Sequence, residues 1–516
     1  MPSKIDIMVL KKISNNYYVS SFFWSTLQKV LTALLGFFSV PILLNFYGIA
    51  EYGILSLATA CNGYMHLLDL GMNVGAVKFF SQWRAEGKQH LIFKVARTNI
   101  TFYIIIASIN ILGLLIVAQW GESWFSITHD QFLQFRSCLY IIAVFSLFSW
   151  VTTAFNQLLI ANKQIDYTMQ IQCVQIVLKA LLIVAALKLN LSLSTYFFFF
   201  TAILAILIIP YSYRCLKEGL IDSLSPAKYW GDFKVVLTFS LSIFALSLFQ
   251  ATATQSRPII LSMFANNGAD AVAQFKIIEV IPQLIIMIGG TFSGIFLPKT
   301  AEMVAKKDQI AIKNFAYKWT RYTSVVIACL TFPFILCASQ ALSAYVGEQY
   351  AHLSPWLIIW CVTVLVQMHT TPGNALVLAY GKTKLLVIVT AVDCLVSICL
   401  NILLCRYFEV GSAIIAYFIY VLIIIGLYYL VFYKTLLHLS RWRLFKGFLI
   451  PVLIGAALLP MAYFIPISRD SFNGFDPRVA YILVCLIKSI AWLVPYLAIM
   501  LIFKIVDIRQ LTKKEL

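Results

Sequence analysis

Fourteen long apolar runs fill this chain of 516 residues, and each has the length of a helix that crosses a bilayer. Such a helix needs roughly 20 mostly apolar residues, because its backbone groups find no water to bind inside hydrocarbon. The runs predict an all-α integral membrane protein with spans at 21–46, 52–80, 99–118, 137–160, 167–187, 192–213, 235–261, 271–297, 322–339, 354–380, 385–404, 410–433, 447–466 and 479–503.

The basic residues fall mainly in every second gap between these runs. The gaps on the side of the N-terminus hold 28 of the 39 lysines and arginines, and six more lie inside spans. The opposite side holds only five, at Arg136, Lys188, Arg406, Arg469 and Arg478. Because basic residues stay on the cytoplasmic side of a membrane, both termini are predicted to be cytoplasmic. The net charge of +18 therefore reflects topology, and we expect no nucleic-acid partner.

Loop lengths and motifs argue against catalysis. The longest outer connections, near 119–136 and 467–478, are too short for a catalytic domain, so we expect no enzyme. The eleven cysteines form no CxxC pair and the histidines lack ligand spacing, which predicts neither a metal nor another cofactor. The YGKT sequence at 380–383 has Leu376 where a P-loop needs glycine. The first span has no cleavage site and is interpreted as a retained anchor.

The chain also repeats itself. VPILLNFYGIAEYG around Pro41 matches RPIILSMFANNGAD around Pro258, and LLIANKQID from Leu158 matches LVLAYGKTK from Leu376, at offsets of 217 and 218 residues. Six spans separate the copies, so both copies have the same orientation, as in parallel repeats. We predict two six-helix lobes, 1–218 and 219–437, and a segment 438–516 with two further helices and a cytoplasmic tail. Two such lobes around a cavity are suited to alternating access.

Ionisable residues inside the spans are the candidate site, because each costs about 2.5–3.5 kcal/mol in hydrocarbon. The basic members are assigned to a cationic cavity for an anionic cargo, and the acidic members to ion coupling or gating. These are Lys29, Lys179, Arg257 and Lys276, and Asp69, Glu279 and Asp393, respectively.

Each assignment has a simpler alternative. Lys29 and Arg257 lie toward the ends of their spans and could reach the interface, as Lys78 is expected to do. Lys276 and Glu279 are spaced i,i+3 and could neutralise each other. Lys488, on the last helix, fits a packing or lipid role better than a transport role.

Prolines inside spans are candidate hinges, because each removes a backbone hydrogen bond and can bend the helix. We assign this role to Pro41, Pro258, Pro282 and Pro372. The sequence TPGNA at 371–375 is the strongest candidate.

Two stretches resemble a known group of transporters. LNFYGIAEYGILSLATACNGYMHLLDLGM, with Gly48, Tyr52-Gly53 and Leu68-Asp69-Leu70-Gly71, resembles Wzx-type O-antigen and polysaccharide-repeat flippases. FKIIEVIPQLIIMIGGTFSGIFLPK, with Lys276, Glu279, Pro282 and Leu297-Pro298, resembles the eighth span of the wider MOP (multidrug/oligosaccharidyl-lipid/polysaccharide) exporter superfamily. Lipid II flippases of this superfamily have a cavity-lining arginine at the basic position. Lysine keeps that charge without its bidentate geometry.

The resemblance implies a flippase of the bacterial inner membrane that moves an undecaprenyl-diphosphate-linked oligosaccharide repeat unit. Its implied partners are this substrate, membrane lipids, H⁺ or Na⁺, and a polysaccharide polymerase with its chain-length regulator. The alternative is an ion-coupled exporter of drugs or other small molecules, and an enzyme of glycan assembly is a more distant one. The sequence leaves open the sugars, O-antigen or capsule as the glycan, the coupling ion and the oligomeric state.

Overall fold

The computed structural model describes residues 4–381, 384–472, 474–503 and 505, and contains no strand in this part of the chain. Its helices are, in chain order, α1 (Lys4–Met65), α2 (Met72–Ala85), α3 (Gln89–Trp120), α4 (His129–Ala161), α5 (Ile165–Leu189), α6 (Leu193–Ala205), α7 (Ile208–Lys217), α8 (Trp230–Phe264), α9 (Gly268–Ala305), α10 (Gln309–Leu336), α11 (Ala338–Tyr345), α12 (Ser354–Met368), α13 (Thr371–Ala379), α14 (Lys384–Phe408), α15 (Val410–Leu427), α16 (Arg441–Ala457), α17 (Leu459–Tyr463) and α18 (Pro477–Ile502).

Helices cover all fourteen predicted runs, which confirms the all-α membrane class. By length and apolar composition, twelve helices in the described residues could cross a membrane. One of them, Phe23–Asp69, contains parts of two predicted runs, because α1 continues past Gly48. The number fourteen and the cytoplasmic termini stay predictions. The tail 506–516 and Lys382 and Thr383 of the YGKT sequence lie outside the described residues.

The membrane-facing character shows in the exposed apolar side chains. Long helices leave isoleucine, leucine and valine open to the surroundings, among them Leu112, Val144, Leu181, Ile490 and Val494. Soluble proteins rarely expose contiguous apolar faces of this extent, because water disfavours them. A lipid environment covers them at no such cost, so the chain is a multi-pass membrane protein.

Glycine 48 interrupts α1. Its φ of +82° and ψ of 171° are not helical, and residues with a Cβ rarely adopt such a φ. The first and second predicted runs therefore belong to two helical segments, 4–47 and 49–65. The second run continues through a 3₁₀ turn, His66–Asp69, into α2.

The chain divides into two compact units, Met1–Ala273 and Gln274–Leu516. In the first unit α3 packs on α4, α1 on α5, and α8 on α1 and α2. Its buried cluster includes Met72, Phe80, Tyr103, Trp150 and Phe233, which come from α2, α3, α4 and α8. Burial of these aromatic rings fixes the helices around the polar residues described below.

In the second unit α14 packs on α15, α10 on α12 and α16, and α18 on α11. Trp492 on α18 is fully buried, stacks on Phe332 with 5.1 Å between ring centroids, and donates its indole N–H to the Gly455 carbonyl at 2.9 Å. The last two long helices, α16 and α18, are thus part of the packing of this unit. The predicted lobe boundaries at 218/219 and 437/438 stay predictions.

The predicted hinge prolines occupy different places in their helices. Pro41, Pro258 and Pro282 lie inside α1, α8 and α9, whereas Pro372 lies in the first turn of α13. A proline in a first turn costs no hydrogen bond, because the N–H groups there have no helical partner. The break in the tenth predicted run therefore lies at residues 369–370, just before Pro372. The hinge role stays a prediction for all four.

Candidate functional site

Asp69 lies where the second span changes direction, in the first unit. Leu70 and Gly71 both have positive φ, of 53° and 74°, and they separate the 3₁₀ turn from α2. The turn brings the Asp69 carboxylate to the start of α2, where Oδ2 accepts the Asn73 N–H at 3.1 Å. A negative charge is stabilised at this end of a helix. The Leu-Asp-Leu-Gly element therefore builds a capped, kinked junction.

A chain of polar side chains continues from Asp69 into the helices. The Tyr103 hydroxyl donates to Asp69 Oδ1 at 2.5 Å, and Gln157 donates from Nε2 to the Tyr103 oxygen at 2.6 Å. Asn99 completes the series by donating to Gln157 Oε1 at 2.8 Å. Asn99, Tyr103 and Gln157 are fully buried, on α3 and α4. We call these four hydrogen-bonded residues, Asp69, Asn99, Tyr103 and Gln157, the Asp69 network. Such a network can hold a carboxylate in place or pass a proton along its hydroxyl and amide groups.

Three members of this Asp69 network are not among the residues predicted from the sequence. Asn99 and Gln157 are amides inside apolar runs, and Tyr103 is four residues after Asn99 on the same helical face. Buried amides need hydrogen-bond partners, so their presence in these runs was an available signal. His66, in the same 3₁₀ turn as Asp69, lies 5.1 Å from the ring of Trp150, which stacks on Tyr103.

The basic residues of the first unit occupy three different environments. Lys29 is exposed on α1, and Lys179 is half-buried on α5 with its Nζ 4.8 Å from the centre of the Phe200 ring, a cation–π distance. Arg257 on α8 is only 3 % exposed. A buried guanidinium requires polar surroundings, so Arg257 is a charge held inside the unit.

Two further lysines within predicted spans make local contacts. Lys78 is exposed on α2, with its Nζ 3.5 Å from the centre of the Phe239 ring. Lys488 is 8 % exposed and donates to the Tyr463 carbonyl at 3.2 Å. Lys488 therefore has a packing role in the second unit.

Lys276 and Glu279 form an ion pair on α9, in the second unit. Nζ of Lys276 is 2.7 Å from Oε2 of Glu279, and the side chains are 26 % and 17 % exposed. Gln283 donates to the other carboxylate oxygen at 3.5 Å. The i,i+3 spacing brings the two charges together on one face, so the pair is close to neutral as a unit.

The carboxyl group of Asp393 on α14 has surroundings unlike those of the paired Glu279 carboxylate. It is 1 % exposed, and neither carboxylate oxygen has a hydrogen-bond partner among the described residues. Thr390, Ser397 and Asn401 lie on the same buried face, and Asn401 accepts from Ser412 of α15 at 2.9 Å. A charged carboxylate without partners is very costly in such a place. Asp393 is therefore suited to carry a proton or to bind a cation.

The seven predicted residues thus fall into separate groups. Asp69, Lys29, Lys179 and Arg257 belong to the first compact unit, and Lys276, Glu279 and Asp393 to the second. The structure pairs Lys276 with Glu279, and gives Asp69 and Asp393 contrasting surroundings. Their roles in binding and coupling stay predictions.

Comparison with known proteins identifies relatives along most of the chain. Residues 18–302 match the family model described as polysaccharide biosynthesis protein. The uncharacterized membrane protein EpsK of Bacillus subtilis (strain 168) is 22 % identical over 380 residues, which cover 70 % of this chain and 72 % of that protein.

Solved structures share the fold. The inward closed conformation of the lipid II flippase MurJ aligns with a TM-score of 0.69 and 14 % identity, over 95 % of this chain and 99 % of that one. An inward-facing multidrug resistance MATE family transporter of the MOP superfamily aligns with a TM-score of 0.66 and 12 % identity, over 84 % and 95 % of the two chains. The resemblance seen in the sequence is confirmed. The chain belongs to the polysaccharide biosynthesis protein family and has the fold of MOP-superfamily transporters.

Proposed function

We propose that this protein is a flippase that moves undecaprenyl-diphosphate-linked oligosaccharide repeat units across the bacterial inner membrane. Membership of the polysaccharide biosynthesis protein family supports a glycan substrate, and the fold shared with the lipid II flippase MurJ supports a lipid-linked one. The observation that carries the proposal is the set of basic side chains placed inside apolar helices. A diphosphate is the kind of group that such charges attract.

The surroundings of the basic residues suggest how they share this task. Lys29 is exposed and Lys179 is half-buried, so both side chains can meet an anionic headgroup. Arg257 is buried, and we assign it a fixed positive charge rather than direct contact. Lys276 becomes available to a phosphate when Glu279 is neutralised or displaced, because the two side chains are paired at 2.7 Å. Alternating access then carries the headgroup across, with the polyprenyl chain in lipid.

The acidic residues supply a route for ion coupling. Asp393 has no hydrogen-bond partner among the described residues, so a bound proton or sodium ion would stabilise it most. Binding of a proton or sodium ion at Asp393 and at Glu279 would change the charge of the second unit during the transport cycle. Asp69 is held by Tyr103 and Asn73, and we assign it to gating at the α1–α2 junction.

A paired substitution on one helix tests the role of the cationic side chains. Lys179→Gln should reduce display of surface polysaccharide in a cell that lacks its own flippase, because it removes a charge inside the span. Lys188→Gln is the matched control, since Lys188 is exposed at the end of the same helix. Equal display by both variants and the wild-type protein at equal expression would contradict the proposal.

Substitutions at Lys276 show whether export depends on the positive charge of this side chain or on its exact shape. Lys276→Arg keeps the ion pair with Glu279 and should export normally, whereas Lys276→Ala should export poorly. The double variant Lys276→Met/Glu279→Gln removes both charges. It therefore shows whether poor export by Lys276→Ala comes from the charge of Glu279 that is left without its partner. Normal export by Lys276→Ala would exclude Lys276 from the site.

The alternative function is ion-coupled export of a small molecule, and Asp393 is the observation that favours it. A buried carboxyl group that has no hydrogen-bond partner in the described part of the chain is also suited to bind a cationic drug or its counter-ion. This alternative predicts that expression protects cells from toxic cations without restoring polysaccharide display. If the protein is the proposed flippase, its expression should restore polysaccharide display and should not protect cells from toxic cations.

A further inference from the structure

A basic cavity lies in the second unit between α10 and α16, near the first turns of α16. Its volume is about 480 Å³, and its lining includes Tyr317, Lys318 and Arg321 of α10 and Arg443 and Lys446 of α16. None of the residues assigned to the flippase site lines it. Both helices begin in gaps that the charge pattern predicts to be cytoplasmic.

Within the part of the chain that the structure describes, the four basic side chains of this cavity have no acidic partner. No acidic residue is among the described lining residues, and none of the four forms an ion pair with another described residue. Arg321 has a buried Nε without a hydrogen-bond partner in the described part of the chain. Arg443 lies 4.5 Å from the Tyr317 ring centre, and Lys446 lies 5.2 Å from that of Trp442. A cavity of this sign lowers the free energy of an anion.

The cavity walls are held in place by hydrogen bonds. The Tyr317 hydroxyl accepts the Ser440 N–H at 2.8 Å, and the Ser440 hydroxyl accepts the Arg443 N–H at 3.4 Å as the cap of α16. These contacts fix the start of α16 against α10. Gly447 lies beside Arg321 in the lining, where a Cβ would be in ordinary contact with the Arg321 Cβ at 3.8 Å. The basic groups are thus arranged around an open space before any ligand arrives.

The lining is amphipathic. Ile450 and Pro451, the next lining residues of α16, are apolar, as is Ile505 beyond the end of α18. A free anion needs only the basic part, whereas a lipid also has a glycerol backbone and acyl chains to bury. Basic pockets between membrane helices on the cytoplasmic side suit anionic lipid headgroups.

We propose that this α10–α16 cavity binds the phosphate of an anionic membrane lipid, as a site separate from the transport pathway. Lys318, Arg321, Arg443 and Lys446 bind the phosphate, and the apolar wall contacts the lipid backbone. The site links membrane lipid to the packing of α16, and it does not depend on which cargo the protein carries.

The test is lipid binding by the full chain in detergent. Binding of phosphatidylglycerol is compared with that of phosphatidylcholine with identical acyl chains, by native mass spectrometry and by the Tm of the protein. The pocket variant is Arg321→Gln/Lys446→Gln. The control variant is Lys313→Gln/Arg441→Gln, which removes one lysine and one arginine from the same two helices at exposed positions outside the cavity.

The wild-type protein and the control variant should prefer phosphatidylglycerol. The pocket variant should lose about 25-fold in apparent affinity, about fivefold per charge. The single variant Lys446→Gln should lose about fivefold, and serves if the double variant does not fold. Equal binding of the two lipids, or an equal loss in the pocket and control variants, overturns the site.

Inorganic phosphate distinguishes the source of the anion. If sodium phosphate competes only weakly with phosphatidylglycerol, the lipid is the ligand. If phosphate alone raises the Tm of the wild-type protein and not of the pocket variant, while the two lipids bind alike, the cavity is a free-anion site and the lipid assignment is wrong.

Discussion

Asp69 and Asp393 both carry carboxyl groups within predicted membrane spans, but the fold surrounds them differently. Asp69 accepts hydrogen bonds from Tyr103 and Asn73, whereas Asp393 has none from the described residues. Hydrogen bonds favour a carboxylate, and burial without them favours a proton or a bound cation. The first residue is therefore suited to a fixed structural charge and the second to a charge that changes during transport.

Asp393→Asn should abolish the dependence of transport on an ion gradient while leaving the fold intact. Asparagine has the shape of the protonated acid and no charge, so we expect the free energy of unfolding to change by less than about 1 kcal/mol. Transport is measured with and without an imposed proton or sodium gradient. Thr390→Val is the control, because Thr390 is equally buried and its hydroxyl lacks a partner among the described residues. Unchanged gradient dependence in Asp393→Asn would exclude this residue from coupling.

Tyr103→Phe should destabilise the first unit, because the hydroxyl joins Asp69 to Gln157. Its loss leaves the buried Gln157 amide and the half-buried Asp69 Oδ1 without this partner, and we expect a cost of about 1–3 kcal/mol. The Tm of the purified protein measures this, with Tyr213→Phe as the control at an exposed position. The double variant Asp69→Asn/Tyr103→Phe should be less destabilised than the sum of its single variants. Strict additivity would show that the network is not coupled.

Close helix contacts depend on individual glycines in the segments of α1. A Cβ on Gly53 would collide with the Ala269 carbonyl at the start of α9, and one on Gly36 would meet nothing within 4 Å. Both glycines are helical, so only their neighbours differ.

Gly53→Ala should therefore lower the stability of the protein, and Gly36→Ala should raise it. Overpacking costs about 1–3 kcal/mol, whereas an alanine in open helix gains about 0.5–1 kcal/mol over glycine. The Tm of the two variants in the same detergent measures the difference. A stabilising Gly53→Ala would mean that the two helices do not approach closely there.

The last helices stabilise the second unit mainly through aromatic packing. Trp492→Ala should cost about 3–5 kcal/mol, because the ring is fully buried against Phe332 and Tyr496. Glu348→Gln should cost less than about 1 kcal/mol, because its ion pair with Arg469 is exposed. Unfolding measured for both variants checks the order. A larger loss from Glu348→Gln would show that the ion pair, and not the aromatic packing, stabilises α18.

Much of the helical architecture could be predicted because the bilayer restricts it to apolar helices of set length. The i,i+3 pairing of Lys276 with Glu279 followed from helical periodicity alone. The Asp69 network could not be predicted in the same way, since it joins residues from three separate stretches of the chain through side-chain geometry. The α10–α16 cavity joins residues more than a hundred positions apart, and no local pattern marks them as neighbours.

For the molecule as a whole, we propose that a single chain carries a lipid-linked glycan across the membrane. Family and fold establish the class of protein, and the charged residues inside its helices supply the proposed recognition. The most direct measurement uses proteoliposomes that contain the purified protein and a labelled polyprenyl-diphosphate oligosaccharide, and follows the oligosaccharide that a membrane-impermeant glycosidase can reach. We expect the wild-type protein to bring the inner pool to the outer leaflet, and Lys179→Gln to do so much more slowly. An accessible pool no larger than in protein-free vesicles would contradict the account.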